Sequence, residues 1–343
     1  MALMGAGLIG REHAALVAEH PGASLAAIAD PDPAAVALAA TLGVRHFDDY
    51  ECMLDEVAPD GVIVALPNTL HVEAGLACIT RQISVLVEKP VAETVTAAMR
   101  LVEAGEEAGV PVLVGHQRRH GSDIREAKAA ISRGDLGRIV AINGVAAVAK
   151  HDTYFDVAWR RSPGGGPLLI NAIHDIDCFR FLGGEIETVQ AIGSSAIRGH
   201  AVEDTVAVAL RFASGAVGTY LLTDASPSPY FWEIAAEQSL TFPHQAEDCY
   251  VVFGRKASLA VPTLDLWEHE AGGDWRDPLV RRRLSAPVQS CYVAQLENLI
   301  DVIHGTADPV VSGREGAMTL AATLAVARAI TEGRPVDVAE LLA

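Results

Sequence analysis

The chain has 343 residues, half of them hydrophobic and one-fifth charged, more than a single ordinary core accommodates and enough for two domains. Its 26 basic and 44 acidic residues give a net charge of −18 with no Lys/Arg block, which argues against nucleic acid or an anionic membrane surface as a partner. Five scattered cysteines without a CxxC pair imply neither a metal site nor a disulfide framework, and no apolar run approaches the ~18 residues of a membrane span. Free thiols and an opening Met1-Ala2-Leu3-Met4 that lacks a charged leader suggest a cytoplasmic protein.

In chain order, Ala2-Leu3-Met4 is a stub of strand, against a usual five or six residues; either it is clipped or its true start lies upstream. Helical spacing follows from Leu8 to His20, then a short apolar run from Ser24 to Ala29, and a helix from Pro33 to Leu42. Val44 to Phe47 is a weak strand and Tyr50 to Val57 a short helix. Gly61 to Leu66 is apolar and β-branched, as in a strand covered on both faces. Asn68 to Arg81 (helix), Ser84 to Val87 (strand), Thr94 to Ala108 (helix) and Val110 to Val114 (strand) complete the alternation. Six strands with short helical crossovers predict an α/β fold: a doubly wound parallel sheet over residues 1–117.

Within it, Gly5-Ala6-Gly7-Leu8-Ile9-Gly10 stands between strand and helix, and Asp30 follows 20 residues later at the end of the next strand. Both contexts belong to a dinucleotide-binding fingerprint. Gly5 and Gly7 permit a tight turn and close approach to a pyrophosphate, and Gly10 lets the helix pack on the sheet. Asp30 can accept hydrogen bonds from both ribose hydroxyls and would repel a 2′-phosphate, so the expected cofactor is NAD rather than NADP.

Beyond Ser122 the alternation stops. A helix is predicted from Asp123 to Gly134, then strands over Arg138–Val148, Glu187–Ser194, Thr205–Phe212, Ala216–Thr223, Tyr230–Ala236 and Tyr250–Phe253. Amphipathic helices over Ser290–His304 and Gly313–Glu332 close the chain. Residues 118–343 therefore read as an α+β domain on a largely antiparallel open sheet. Between the first strands lies a helix from about Leu168 to Leu182 with a polar stripe of Asn171, His174 and Asp177 on an otherwise apolar surface, which needs partners or a ligand.

The ordered set GAGLIG (5–10), PNTLH (67–71), EKP (88–90), GHQRR (115–119) and GGGPLLINAIHDID (164–177) resembles the Gfo/Idh/MocA oxidoreductases across essentially the whole chain. The resemblance implies that Gly5, Gly7, Leu8, Ile9, Gly10, Asp30, Leu66, Pro67, Asn68, His71, Glu88 and Lys89 serve the cofactor. It also implies that Lys89 reaches a substrate hydroxyl or carbonyl, that His174 is the general acid/base, and that the open sheet face pairs subunits into a homodimer or homotetramer. A free imidazole pKa of ~6.5 suits that proton exchange. Many relatives carry an aspartate one turn before this histidine; here Ile170 stands there, with Asn171 beside it. Asn171 can bond a substrate but cannot take its proton.

The expected reaction is hydride transfer between NAD and a secondary alcohol or ketone of a sugar, cyclitol, sugar acid or dihydrodiol, without a metal. Arg118 and Arg160 are candidates for holding a substrate, since an arginine fork suits a carboxylate. Two alternatives stay open: a tightly held NAD used for internal redox chemistry, and a non-catalytic dinucleotide-binding regulator.

Overall fold

A computed structural model describes residues 1–343 apart from 238–241 and 272. Contacts divide the chain into two compact units, Met1–His120 with Cys291–Leu320, and Gly121–Ser290 with Ala321–Ala343.

The first unit alternates β1 (Ala2–Met4), α1 (Leu8–Glu19), β2 (Ala27–Ala29), α2 (Pro33–Leu42), β3 (Arg45–Phe47), α3 (Tyr50–Val57), β4 (Gly61–Val64), α4 (His71–Thr80), β5 (Ser84–Val87), α5 (Val95–Ala108) and β6 (Val112–Val114). The six strands are parallel in the order β3-β2-β1-β4-β5-β6, so the winding reverses between β1 and β4, the position where open α/β sheets bind ligands. Local chemistry starts and stops the helices. Asp32 caps α2 ahead of Pro33 and Thr94 caps α5, while Gly43 and Gly109 end those helices in the left-handed conformation. Leu3, Ile28, Ile63, Leu86 and Leu113 fill the core together with Leu296, Leu299 and Val302 from later in the chain.

The second unit opens with α6 (Ser122–Arg133) and β7 (Ile139–Ala147), followed by α7 (Ile173–Gly183), β8 (Ile186–Ser194), β9 (Thr205–Phe212), β10 (Val217–Thr223) and α8 (Trp232–Ala235). Next come β11 (Tyr250–Gly254), β12 (Ala257–Val261), β13 (Asp265–His269) and β14 (Leu279–Arg283). The chain ends with α9 (Cys291–Ile303), α10 (Gly313–Glu332) and β15 (Val336–Asp337); α9 and the start of α10 belong to the first unit. The sheet order is β14-β13-β12-β11-β7-β10-β9-β8-β15, antiparallel except for the β7–β10 pair. Phe179 of α7 packs edge-on against Tyr220 and Tyr250 on one face of this sheet. That seat needs Gly144, where a Cβ would lie 2.3 Å from the Phe179 ring.

The expected strand over Tyr230–Ala236 is instead the short helix α8. Its buried positions, 231, 232 and 235, follow a helical rather than an alternating pattern, and Trp232 stacks on Tyr250 with centroids 5.1 Å apart. The expected helix over Leu168–Leu182 begins with a π turn, Leu168–Ala172, closed by the Ile173 N–H on the Leu168 carbonyl. Among the described residues no helix is long and apolar enough to cross a membrane.

Candidate functional site

In the first unit, β1 delivers the chain into the glycine turn. Gly5 has φ +91°, and a Cβ there would lie 2.4 Å from the Ala65 carbonyl oxygen; at Gly10 it would lie 2.1 Å from the Gly5 oxygen. Those two glycines are demanded by the protein itself. Gly7 differs: no protein atom lies within 4 Å of its Cβ position, so the open side faces whatever approaches the turn. Gly7 is also the N-cap of α1 and offers no side-chain cap. The first amides of that helix are thus left to a ligand, and the dipole there favours an anionic one. Leu8 is 85% exposed at the helix start, and Ile9 is half-buried.

Asp30 closes the cradle. Its Oδ2 accepts the Ala6 N–H at 2.6 Å and its Oδ1 the Asp32 N–H at 2.8 Å. The carboxylate is held rigid beside the glycine turn while each oxygen retains a lone pair for a ribose hydroxyl. This turn, helix start and acidic residue fit a dinucleotide.

Strand β4, which pairs with the cradle's strand β1, and β5 on its far side carry the other two segments. Pro67 leads into a 3₁₀ turn, Asn68–Leu70, on which Asn68 is exposed. His71 then starts α4 fully buried, with Nδ1 2.8 Å from the Pro90 carbonyl and Nε2 2.8 Å from the Leu66 carbonyl. It ties the PNTLH segment to the EKP segment. Burial pulls its pKa down, and the two carbonyls recover only part of that loss.

Glu88 is buried between His13 and the Lys89 backbone. Its Oε1 lies 2.8 Å from His13 Nε2 and its Oε2 accepts the Lys89 N–H at 3.2 Å. A Cβ on Gly115 would meet this carboxylate at 2.9 Å, so the GHQRR segment also shapes the seat. Burial pushes the Glu88 carboxyl up, but the bond and charge from His13, with Lys89, more than offset it and leave its pKa below the usual value. The Lys89–Pro90 peptide is cis. Arg118 is 2% exposed, and Arg119 pairs with Glu315 at 2.7 Å.

In the second unit, His174 is buried in the first turn of α7. Its neighbour Asp175 is buried too and accepts hydrogen bonds from the Tyr220 hydroxyl at 2.7 Å and from the Tyr250 hydroxyl. Asn171, three residues before His174, is half-buried and takes the Lys150 ammonium on Oδ1 at 2.8 Å. Arg160 is committed locally: Nη1 donates to the Tyr154 carbonyl at 2.8 Å, and the guanidinium lies 4.0 Å over the Tyr154 ring. Among the described residues no group of three or more His, Cys, Asp or Glu is arranged to hold a metal ion.

Sequence reasoning passed over His13 and Lys150. His13 left a usable signal, a histidine among the apolar positions of the helix that follows the glycines, where a buried ring must find a partner. Lys150 left none, because its partners lie 21 and 74 positions further on.

A dinucleotide cradle on a doubly wound sheet, with a half-buried Lys89 between buried Glu88 and Pro90, and a separate, mostly antiparallel unit bearing a buried helix histidine define an NAD-binding oxidoreductase. Residues 1–116 match the description "Oxidoreductase family, NAD-binding Rossmann fold", and residues 124–260 match "GFO/IDH/MocA C-terminal domain". The chain belongs to the Gfo/Idh/MocA oxidoreductase family, and its cofactor is NAD. It is 31% identical to the 1,5-anhydro-D-fructose reductase of Ensifer adhaerens over 81% of this chain and 80% of that one. It is 26% identical to the scyllo-inositol 2-dehydrogenase (NAD(+)) of Bacillus subtilis over 98% and 95%. The WlbA dehydrogenase of Bordetella pertussis, solved with NADH and UDP-GlcNAcA, superposes with a TM-score of 0.79 at 27% identity, covering 98% of this chain and 97% of that one.

Proposed function

We propose that the protein transfers hydride between NAD and a secondary alcohol or ketone of a sugar, cyclitol or sugar acid, with Lys89 and His174 serving the reaction. The observation that carries this reading is the Glu88-Lys89-Pro90 corner at the end of β5, braced by His13 and His71 in the same unit as the glycine cradle. The relatives' named activities, on 1,5-anhydro-D-fructose and on scyllo-inositol, support the substrate class.

Bound NAD supplies the hydride acceptor. His174 takes the hydroxyl proton as the carbinol is oxidised and returns it in the reverse direction. The Lys89 ammonium stabilises the developing oxyanion, and the burial of Glu88 beside it keeps that corner rigid. Gly5, Gly7, Leu8, Ile9 and Gly10 receive the pyrophosphate and Asp30 the ribose. Leu66, Pro67 and Asn68 would line the dinucleotide and Glu88 its nicotinamide ribose, and His71 contributes through the carbonyls it holds. Arg118 is buried in the first unit and Arg160 is bonded to the Tyr154 carbonyl in the second, so neither is assigned as a carboxylate clamp.

In this reading residues 1–117 bind the dinucleotide, while 118–343 bind substrate and pair subunits into a homodimer or homotetramer. Five cysteines outside any disulfide, four of them buried, support a reducing cytoplasm as the working compartment. The test is an NAD(H)-linked screen of sugars, cyclitols and sugar acids, including 1,5-anhydro-D-fructose, myo-inositol and scyllo-inositol. Lys89→Ala and His174→Ala should each lower turnover by about a hundredfold or more, with NADH binding retained in His174→Ala. Wild-type turnover in either variant would refute the assignment.

A further inference from the structure

Asn171 occupies the helix turn that precedes His174, and its orientation is settled by one contact. Lys150 Nζ lies 2.8 Å from one end of the Asn171 side-chain amide. An ammonium carries three donors and no acceptor, so the atom facing it is the carbonyl Oδ1, which removes the usual ambiguity between amide oxygen and nitrogen. Nδ2 therefore points away from Lys150, and among the described residues it has no acceptor.

Lys150 is itself held on several sides. Its backbone N–H donates to the Asp224 carbonyl at 3.0 Å, and its ammonium sits 3.5 Å from Asp224 Oδ2 and 4.7 Å over the Tyr154 ring. The Asp224 carboxylate, buried, takes the Arg198 Nε–H at 2.8 Å on its other oxygen. Arg198 also reaches the Lys150 carbonyl at 2.9 Å and stacks 4.2 Å over Phe155. Removing the Lys150 ammonium would leave Asp224 paired with Arg198, while Asn171 Oδ1 would lose the donor that holds it.

We propose that Lys150 is a positioning residue that fixes Asn171 as a hydrogen-bond donor to an oxygen of the substrate. The proposal rests on the oxidoreductase reading above and narrows it. A carboxylate in this turn accepts a proton from a substrate hydroxyl; a locked amide instead offers Nδ2–H. The preferred substrate presents a lone pair next to the reacting carbon, as a carbonyl, ring or carboxylate oxygen does. A neighbouring hydroxyl is accepted through its oxygen and not through its proton.

The test uses the full chain with Lys150→Met, Lys150→Arg and Asn171→Ala, assayed on 1,5-anhydro-D-fructose with NADH and on myo-inositol with NAD. For a compound that the unaltered chain converts, Lys150→Met should raise KM about tenfold with kcat changed less than about threefold, and Lys150→Arg should recover most of the loss. In the Asn171→Ala background Lys150→Met should change KM by less than about twofold, because the group it positions is gone. An equal tenfold rise in that background overturns the proposal.

A second arm needs no turnover. The sequence has four asparagines, so a chain labelled with 15N at asparagine shows four side-chain amide pairs, and Asn171→Ala identifies one of them. Lys150→Met should move that pair and leave the other three in place; an unmoved pair overturns the proposal. If the unaltered chain converts neither probe nor any compound of the wider screen, the oxidoreductase reading fails, and the amide spectrum still decides whether Lys150 holds Asn171.

Discussion

His13 Nε2 lies 2.8 Å from Glu88 Oε1, a buried imidazole on a buried carboxylate 75 positions further along the chain. The other carboxylate oxygen takes the Lys89 N–H, so the pair sets the backbone from which Lys89 projects. His13→Ala should cost about 2–3 kcal/mol, the range for removing one partner of a buried charge-assisted bond. It should also weaken NADH binding. His13→Gln, which keeps a donor near the same place, should restore most of both. Urea unfolding and NADH fluorescence titration read the two effects, and an unchanged midpoint with unchanged affinity would dismiss the brace. The sign with pH follows from the lowered Glu88 pKa: its contribution is complete above the ordinary carboxyl value of 4.5 and disappears as pH falls through the folded value.

His71 titrates in the opposite sense to a salt-bridged histidine. Two carbonyls at 2.8 Å would suit an imidazolium, whereas loss of water favours the neutral ring; burial is the larger effect, so the folded pKa lies below 6.5. The unfolded chain then binds a proton first as pH falls. Stability should decline below about pH 6.5 and level off once the folded ring protonates. His71→Asn keeps one donor and removes this titration, so its urea midpoint should fall less steeply between pH 7 and 5. Parallel profiles for the two chains would show that His71 is not the group responsible.

The glycine turn separates what the fold requires from what a ligand requires. Gly10→Ala places a methyl 2.1 Å from the Gly5 oxygen, a backbone clash that must displace the turn, and should abolish NADH binding along with several kcal/mol of stability. Gly7 has φ −68°, which alanine adopts freely, and no protein atom near its Cβ. Gly7→Ala should keep its melting temperature within about 2 °C while losing at least about tenfold in NADH affinity. Full affinity in that variant would mean the pyrophosphate does not lie over Gly7.

How much of this was legible depended on whether the signal was local. The helices over Tyr50–Val57 and Gly313–Glu332 and the strands over Ser84–Val87 and Thr205–Phe212 fall where residue periodicity puts them, because each buries one face or both. Strand β14 escaped notice: Leu279–Arg283 is exposed throughout, lies at a sheet edge, and so shows no alternation. The aromatic run at Tyr230–Ala236 has strand propensity, yet the stacking of Trp232 on Tyr250 draws it into a helical turn. The π turn before His174 also leaves no mark, since an ideal 100° per residue assumes an unbroken α-helix. Lys89, Glu88 and His174 were readable as motif members, but their braces were not, because a partner 75 positions away is a property of the fold.

The open face of the second sheet carries the remaining prediction. Ile192, Ala207, Leu221 and Val145 lie side by side across β8, β9, β10 and β7, and Val217, Ala141, Phe253, Ser258 and Trp267 form a second row continuing to β13. Ile192 is 77% exposed, and Val217, Leu221, Phe253 and Trp267 are exposed with it. A contiguous apolar patch of this kind, with Asn143 and Thr219 bonded to each other at 2.8 Å in the row between, is suited to burial against a second copy. The unaltered chain should sediment as a dimer or tetramer, and Leu221→Glu combined with Val217→Glu should shift it toward the 36.1 kDa monomer while leaving NADH binding in place. Glutamates buried in an apolar contact lose their hydration without a counter-charge, and that cost together with the lost apolar contact opposes association. Sedimentation of the unaltered chain as a monomer at working concentration would assign this face some other partner.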